Sequence, residues 1–184
     1  MESSLFYIGF LMIEAVILLC VVVYFLGLIL SFFKGAPYVA TKKQDLNEIL
    51  KQANLKPGQY LLELGCGDGR VLRKAASFYG VIGCGIDINP IVIILARIRS
   101  WLQQTKNMKF FVQDIVRANF SQADVIYIFL FPNLISQLKS KLLTETKNDA
   151  LIISHGFQIL YLQKHLIKRI VGKKFNTYYY RLKH

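Results

Sequence analysis

The sequence predicts an α/β protein: an open, mostly parallel sheet with helices on both faces, an antiparallel strand pair at the carboxyl end, and one transmembrane helix in front. Three observations predict it. Apolar runs of strand length alternate with helical periodicities from residue 60 to residue 154, and such strand–helix units stack into a parallel sheet covered on both faces. Residues 166–182 then read as two strands around Gly172-Lys173-Lys174. Residues 15–33 carry no formal charge at all.

The charge-free stretch comes first. Extended back through residues 5–13, with Glu14 as its single charge, it is long enough to cross a hydrocarbon core of about 30 Å as a helix. A cleaved signal peptide would need a basic start and a small-residue cleavage site. Met-Glu-Ser-Ser offers no positive charge, and Phe32-Phe33-Lys34 is a poor cleavage site. A retained anchor over residues 1–33 is therefore expected, with Glu14 read either as near the outer interface or as an intramembrane partner site. All 23 basic residues lie after it, facing nine acidic ones. Lys34, Lys42 and Lys43 follow the span directly. The positive-inside rule then puts the amino terminus outside and the body on the cytoplasmic face of an inner or plasma membrane.

Residues 34–58 read as a linker and a short helix. Gly35, Pro37 and Tyr38 open the linker, Thr41 suits a helix cap, and Leu46, Ile49 and Leu50 share a helical face before Pro57-Gly58. The body proper, residues 59–184, alternates. Strands are expected at 60–64, 81–88, 109–112, 125–130 and 150–154, and helices at 69–79, 91–104 and 132–143. Pro90 and Pro132 stand where proline favours a first helical turn. Tyr178-Tyr179-Tyr180 is expected to pack within a strand. Cys20, Cys66 and Cys84 are three thiols without paired spacing, so neither a disulfide framework nor a metal site is expected.

The chemistry is concentrated in Glu63-Leu64-Gly65-Cys66-Gly67-Asp68-Gly69-Arg70. A strand ends, three glycines turn the chain, and a helix begins. Glycine permits positive φ and lets a ligand approach the backbone. In doubly wound sheets a turn at the carboxyl end of a strand is the expected ligand site. Asp87 closes the second strand 22 residues after Gly65, the position from which a carboxylate can accept from two ribose hydroxyls. The spacing is G-x-G-x-G rather than G-x-G-x-x-G, and Glu63 and Asp68 both border it. Two carboxylates would repel a pyrophosphate but would suit a ligand carrying an ammonium and a sulfonium.

On these residues the chain resembles the class I S-adenosylmethionine-dependent methyltransferases, whose sheet is Rossmann-like. Their first motif is similar to Leu61 through Gly69, and their second acidic position matches Asp87. A third match is Val112-Gln113-Asp114. The resemblance implies S-adenosyl-L-methionine as cofactor, with Glu63, Gly65, Cys66, Gly67, Asp68, Gly69 and Asp87 around it. It further implies Asp114 on the adenine amino group and Ile88 against the adenine ring. Pro37 through Thr41, Gly67 through Arg70, Asp87 through Pro90 and Phe129 through Pro132 narrow the resemblance. They are similar to membrane-anchored protein-lysine methyltransferases related to the mitochondrial enzymes acting on the ATP synthase c-subunit and on the adenine nucleotide translocase. Ala40 stands where those enzymes usually carry a second proline.

The implied reaction is methyl transfer to lysine of a membrane-associated protein. Phe131 is a candidate wall of the acceptor channel. Asn133 or the Phe131 carbonyl is a candidate for orienting the amine, and Tyr38 for covering the site. His155 reads either as a base or as a satisfied loop histidine. A DNA adenine methyltransferase would want Pro-Pro-aromatic where Leu130-Phe131-Pro132-Asn133 stands. Seven basic residues and no acid from Lys164 onward invite a nucleic-acid partner, but no RNA-binding module is appended. Apposition to an anionic bilayer accounts for the charge with fewer assumptions. A lipid or quinone-like acceptor, and a non-catalytic cofactor-binding module tethered to the membrane, remain the alternatives.

Overall fold

The computed structural model describes residues 2–33, 41 and 43–183. Tyr38 and the rest of the linker from Lys34 to Ala40, together with Lys42, lie outside them. Helix α1 spans Glu2–Phe33. Its apolar window Phe6–Gly27 has a mean hydropathy of 2.7 and is exposed apart from Val23, Tyr24 and Gly27. Among the described residues it is the one helix long and apolar enough to cross a membrane.

The body is a seven-stranded sheet. In chain order its elements are α2 (Lys43–Ala53), β1 (Tyr60–Leu64), α3 (Arg70–Tyr79), β2 (Ile82–Asp87), α4 (Pro90–Leu102), β3 (Met108–Val112), β4 (Val125–Ile128), α5 (Pro132–Gln137), α6 (Lys139–Thr144), β5 (Leu151–His155), β6 (Leu166–Ile170) and β7 (Thr177–Arg181). The strand order is β3-β2-β1-β4-β5-β7-β6. The first five strands pair in parallel, and β7 lies antiparallel between β5 and β6.

Side chains alternate across the sheet, as the pleat requires. Leu62, Leu64, Ile126, Ile128 and Ile152 form one core with Leu134 of α5, Leu142 of α6 and Leu138 between them. Leu61, Val125, Tyr127 and Ile153 form the other with residues of α2, α3 and α4. The three carboxyl-terminal tyrosines are buried in β7. Tyr179 donates to the Ile49 carbonyl at 3.0 Å, and the Tyr180 hydroxyl accepts from the Ile159 N–H at 2.8 Å.

The expected helix over 132–143 is two helices. The Ser136 hydroxyl donates back to the Pro132 carbonyl at 2.9 Å, a local bond that competes with helix geometry. Leu138 then closes α5 with i→i+3 bonding to Ile135 at 3.1 Å. The break leaves both Leu138 and Leu142 fully buried. Thr41 also serves a purpose beyond the expected cap: its hydroxyl, buried, hydrogen-bonds the Tyr127 hydroxyl at 3.1 Å, tying the chain before α2 to β4.

Candidate active site

Because β1 to β5 run in parallel, their carboxyl ends share one edge of the sheet. That edge collects nearly every residue singled out by the sequence. The turn after β1 is pinned to β2, since the N–H groups of Gly65 and Cys66 both donate to the Ile86 carbonyl, at 2.8 and 3.0 Å. Gly65, Gly67 and Gly69 all have positive φ, at 71°, 51° and 70°. Two of them are also required by packing. A Cβ on Gly65 would stand 2.9 Å from Leu130 Cδ2, and one on Gly69 would overlap the Phe110 ring.

Asp87 ends β2 with both oxygens already accepting backbone bonds. Gly67 N–H reaches Oδ2 and Asn89 N–H reaches Oδ1, each at 2.9 Å. Burial raises its pKa, and these N–H donors oppose the rise. Asp114 follows β3, where it caps a short 3-10 turn by accepting from Val116 N–H at 3.1 Å. Gln113 N–H donates to the Asp87 carbonyl at 2.9 Å, which draws the ends of β2 and β3 together. Ile88 lies half-buried between Asp87 and the cap of α4.

The other two acids have protein partners of their own. Glu63 is buried, and its carboxylate accepts from Leu72 N–H in the first turn of α3 at 3.0 Å. Burial pushes its pKa well above the usual carboxyl range; the bond from Leu72 opposes this, and nearby Asp68 and Asp87 reinforce it. Asp68 is gripped by Arg70 through Nε at 2.9 Å and Nη2 at 3.0 Å, and is paired with Arg99. Burial tends to raise its pKa, but the Arg70 bonds and the charges of Arg70, Arg99 and Arg73 hold it below the ordinary value. Cys66 is buried, and that burial raises its thiol pKa.

The ends of β4 and β5 are aromatic. Phe131 is partly exposed and meets Phe157 edge-to-face at 5.8 Å. Its carbonyl accepts from Leu134 and Ile135 N–H at 3.1 Å each, starting α5, and Asn133 is exposed in that first turn. His155 is the last residue of β5, buried, with Nδ1 2.9 Å from the Thr177 hydroxyl. Its ring packs edge-on against Phe129 and Phe175 at 4.6 and 5.7 Å. Desolvation by this setting lowers its pKa to about 4.

Phe157, Phe175, Arg99 and Tyr127 carry no signal in the sequence that would single them out. Arg70, adjacent to the glycine turn, is the available sign of Asp68's neutralisation. The aromatic partners come from segments with no shared motif.

The stretch 63–165 matches the family model described as the ANTKMT methyltransferase domain. The chain belongs to this methyltransferase family. It is 33% identical over 158 residues to a protein-lysine N-methyltransferase of Saccharolobus islandicus (strain REY15A), covering 82% of this chain and 95% of that one. It is 30% identical over 122 residues to the human lysine N-methyltransferase of the ATP synthase c-subunit, covering 66% of this chain and 52% of that one. The chain thus spans about half the length of the human relative. The fold matches a Salinibacter ruber RNA methyltransferase in complex with S-adenosyl-L-homocysteine, with a TM-score of 0.74 at 24% identity. That match covers 79% of this chain and 95% of the other.

The residues present fit S-adenosylmethionine. A half-buried carboxylate ends β2, backbone donors of a positive-φ turn stand beside it, and a second acid follows β3.

Proposed function

We propose that this protein methylates lysine of a membrane-associated protein, using S-adenosylmethionine. Residues 1–33 anchor it, residues 34–58 link, and residues 59–184 are catalytic, on the cytoplasmic face with the amino terminus outside. The observation that carries this reading is the match to the Saccharolobus lysine methyltransferase along 82% of the chain. Relatives named for the ATP synthase c-subunit and for the adenine nucleotide translocase support a membrane-embedded substrate. The apolar α1 supports the anchor.

In this reading the Asp87 carboxylate accepts from the ribose hydroxyls, Asp114 accepts from the adenine amino group and Ile88 packs on its ring. The backbone of Gly65, Cys66 and Gly67 lines the rest, with Glu63, Asp68 and Gly69 shaping the turn. The cofactor supplies a methyl group on a cationic sulfur. The chain's own contribution is positioning and exclusion of water. Phe131 and Phe157 wall the approach, and Asn133 orients the incoming amine. An unperturbed lysine ammonium has a pKa of about 10.4. Aromatic burial beside a cation favours its neutral, nucleophilic form. His155 stays neutral and held by Thr177, a wall rather than a base.

The test is transfer of tritiated methyl from S-adenosylmethionine to membrane extract by the full chain. Label in methyl-lysine after acid hydrolysis of protein is the expected result. Label in the organic phase would point to a lipid or quinone acceptor. No label, with cofactor still bound, would point to a non-catalytic binding module.

A further inference from the structure

Helix α4 is apolar on both of its faces. Val92, Ile93 and Ala96 pack into the core. The opposite stripe carries Ile94, Leu95, Ile98, Trp101 and Leu102 at helical spacing, and all five are exposed, Trp101 at 77% and Leu102 at 65%. A surface helix of a soluble α/β domain normally puts polar residues there. Arg97 and Arg99 bracket the stripe on its two sides. Arg97 is held by the Phe110 carbonyl, with Nη2 at 2.6 Å. Arg99 lines a groove of about 710 Å³ between α3 and α4, shared with Asp68, Arg70, Arg73 and Lys74. The groove therefore sets four cations against one carboxylate. Arg73 is buried there, and its Nε has no hydrogen-bond partner among the described residues.

The stripe is also tied in space to α1. Gly27, the last residue of the apolar window, is buried where a Cβ would overlap the Asn89 side chain. Asn89 caps α4, its Oδ1 accepting from Ile91 N–H at 3.0 Å. The first turn of α4 thus lies beside the carboxyl-terminal part of α1, which ends at Phe33.

We propose that this face of α4 is a bilayer-docking surface. The helix lies in the plane of the interface with its apolar stripe among the upper acyl chains, and anionic headgroup phosphates occupy the α3–α4 groove. This rests on the reading of α1 as a membrane span. A helix with apolar residues on one side and arginines along its flanks is the form that settles at a lipid interface. Cations beside an anionic leaflet add attraction. The consequence is a fixed posture: the domain is held by its α4 side as well as tethered by a linker, with the end of β2 close to the headgroups.

Trp101 is the single tryptophan of the chain and reports on its own surroundings. The full chain is reconstituted into vesicles of phosphatidylcholine with phosphatidylglycerol, floated, and its emission read with shallow brominated lipids and with aqueous iodide. The expected result is a blue-shifted emission that bromolipid quenches and iodide does not. The Leu95→Glu/Ile98→Glu variant is expected to float equally well and keep its far-UV spectrum, while its Trp101 becomes iodide-accessible. Vesicles of phosphatidylcholine alone, whose headgroup phosphate is offset by choline, are expected to weaken the bromolipid quenching, and equal quenching in them would remove the anionic-lipid part of the proposal.

A floating protein whose Trp101 is open to iodide and untouched by bromolipid would overturn the docking surface while leaving the anchor intact. Protection from iodide without bromolipid quenching, accompanied by crosslinked dimers, would overturn it in favour of a second copy on this face. A chain that fails to float would overturn the anchor reading, and the docking surface with it.

Discussion

At the ends of β1, β2 and β3 the site is made of backbone and short polar groups: the turn at Gly65–Gly69, the Asp87 carboxylate held by two N–H groups, and Asp114 capping its own turn. At the ends of β4 and β5 it is made of rings, with Phe129, Phe131, Phe157, Phe175 and His155 meeting edge to face. In the proposed reading the first half holds a nucleoside of fixed shape, which rewards rigid, directional bonds. In the same reading the second half receives an approaching side chain, for which a dry and shaped wall matters more than a fixed set of hydrogen bonds. Cofactor affinity and acceptor turnover should therefore separate under mutation.

The heaviest loss is expected in the first half. Gly69→Ala adds a Cβ that overlaps Phe110 at a φ of 70°. Left-handed strain and overpacking together should remove roughly 3–4 kcal/mol of stability. Urea unfolding measures it, and a loss near the few tenths typical of a surface change would mean that the turn is not rigid.

The second half should respond to acid. His155 has a folded pKa of about 4, depressed by burial from its unfolded 6.5. The unfolded chain therefore takes up the proton first as pH falls. The stabilisation is complete above about pH 6.5 and is lost between about 6.5 and 4, by up to about 3 kcal/mol. Unfolding free energies measured across that range should fall in the wild type and fall less in His155→Gln. Asp68 adds a loss at lower pH, since its carboxyl is held below the ordinary value and must be protonated there.

Phe131→Ala should lower kcat/KM for the protein substrate by about 10- to 100-fold, through poorer positioning, and leave cofactor affinity at the wild-type value. A matching loss of cofactor affinity would merge the two halves. The mildest change belongs to Tyr127→Phe, which removes the partner of the buried Thr41 hydroxyl. It should cost about 1 kcal/mol, read by thermal unfolding.

The same contrast explains what could be read from the sequence. The nucleoside half is sequence-local: the turn lies between β1 and α3, and Asp87 follows Gly67 by 20 positions. Residue types that are required by a turn or a strand end leave a pattern there. The aromatic half is assembled from separated segments by β5 and β7, whose pairing sets His155 beside Thr177. Phenylalanine in an apolar sequence carries no signature of such a meeting. Long-range ties are equally hidden, among them Thr41 to Tyr127 and Tyr179 to Ile49, 130 residues apart. The placement of β7 between β5 and β6 depends on the whole sheet. The two carboxylates that border the glycine turn show the limit in another way. Glu63 holds the start of α3 and Asp68 is matched by Arg70 and Arg99, and the second of those arginines lies a full strand and helix away.

If the two halves are independent, Asp87 anchors the cofactor without help from the aromatic wall. Calorimetric titration of Asp87→Ala with S-adenosylmethionine puts this to the test. Losing a half-buried carboxylate that accepts from two hydroxyls should weaken binding by about 2–3 kcal/mol, with the fold intact by circular dichroism. Wild-type affinity in a folded Asp87→Ala protein would refute the assignment.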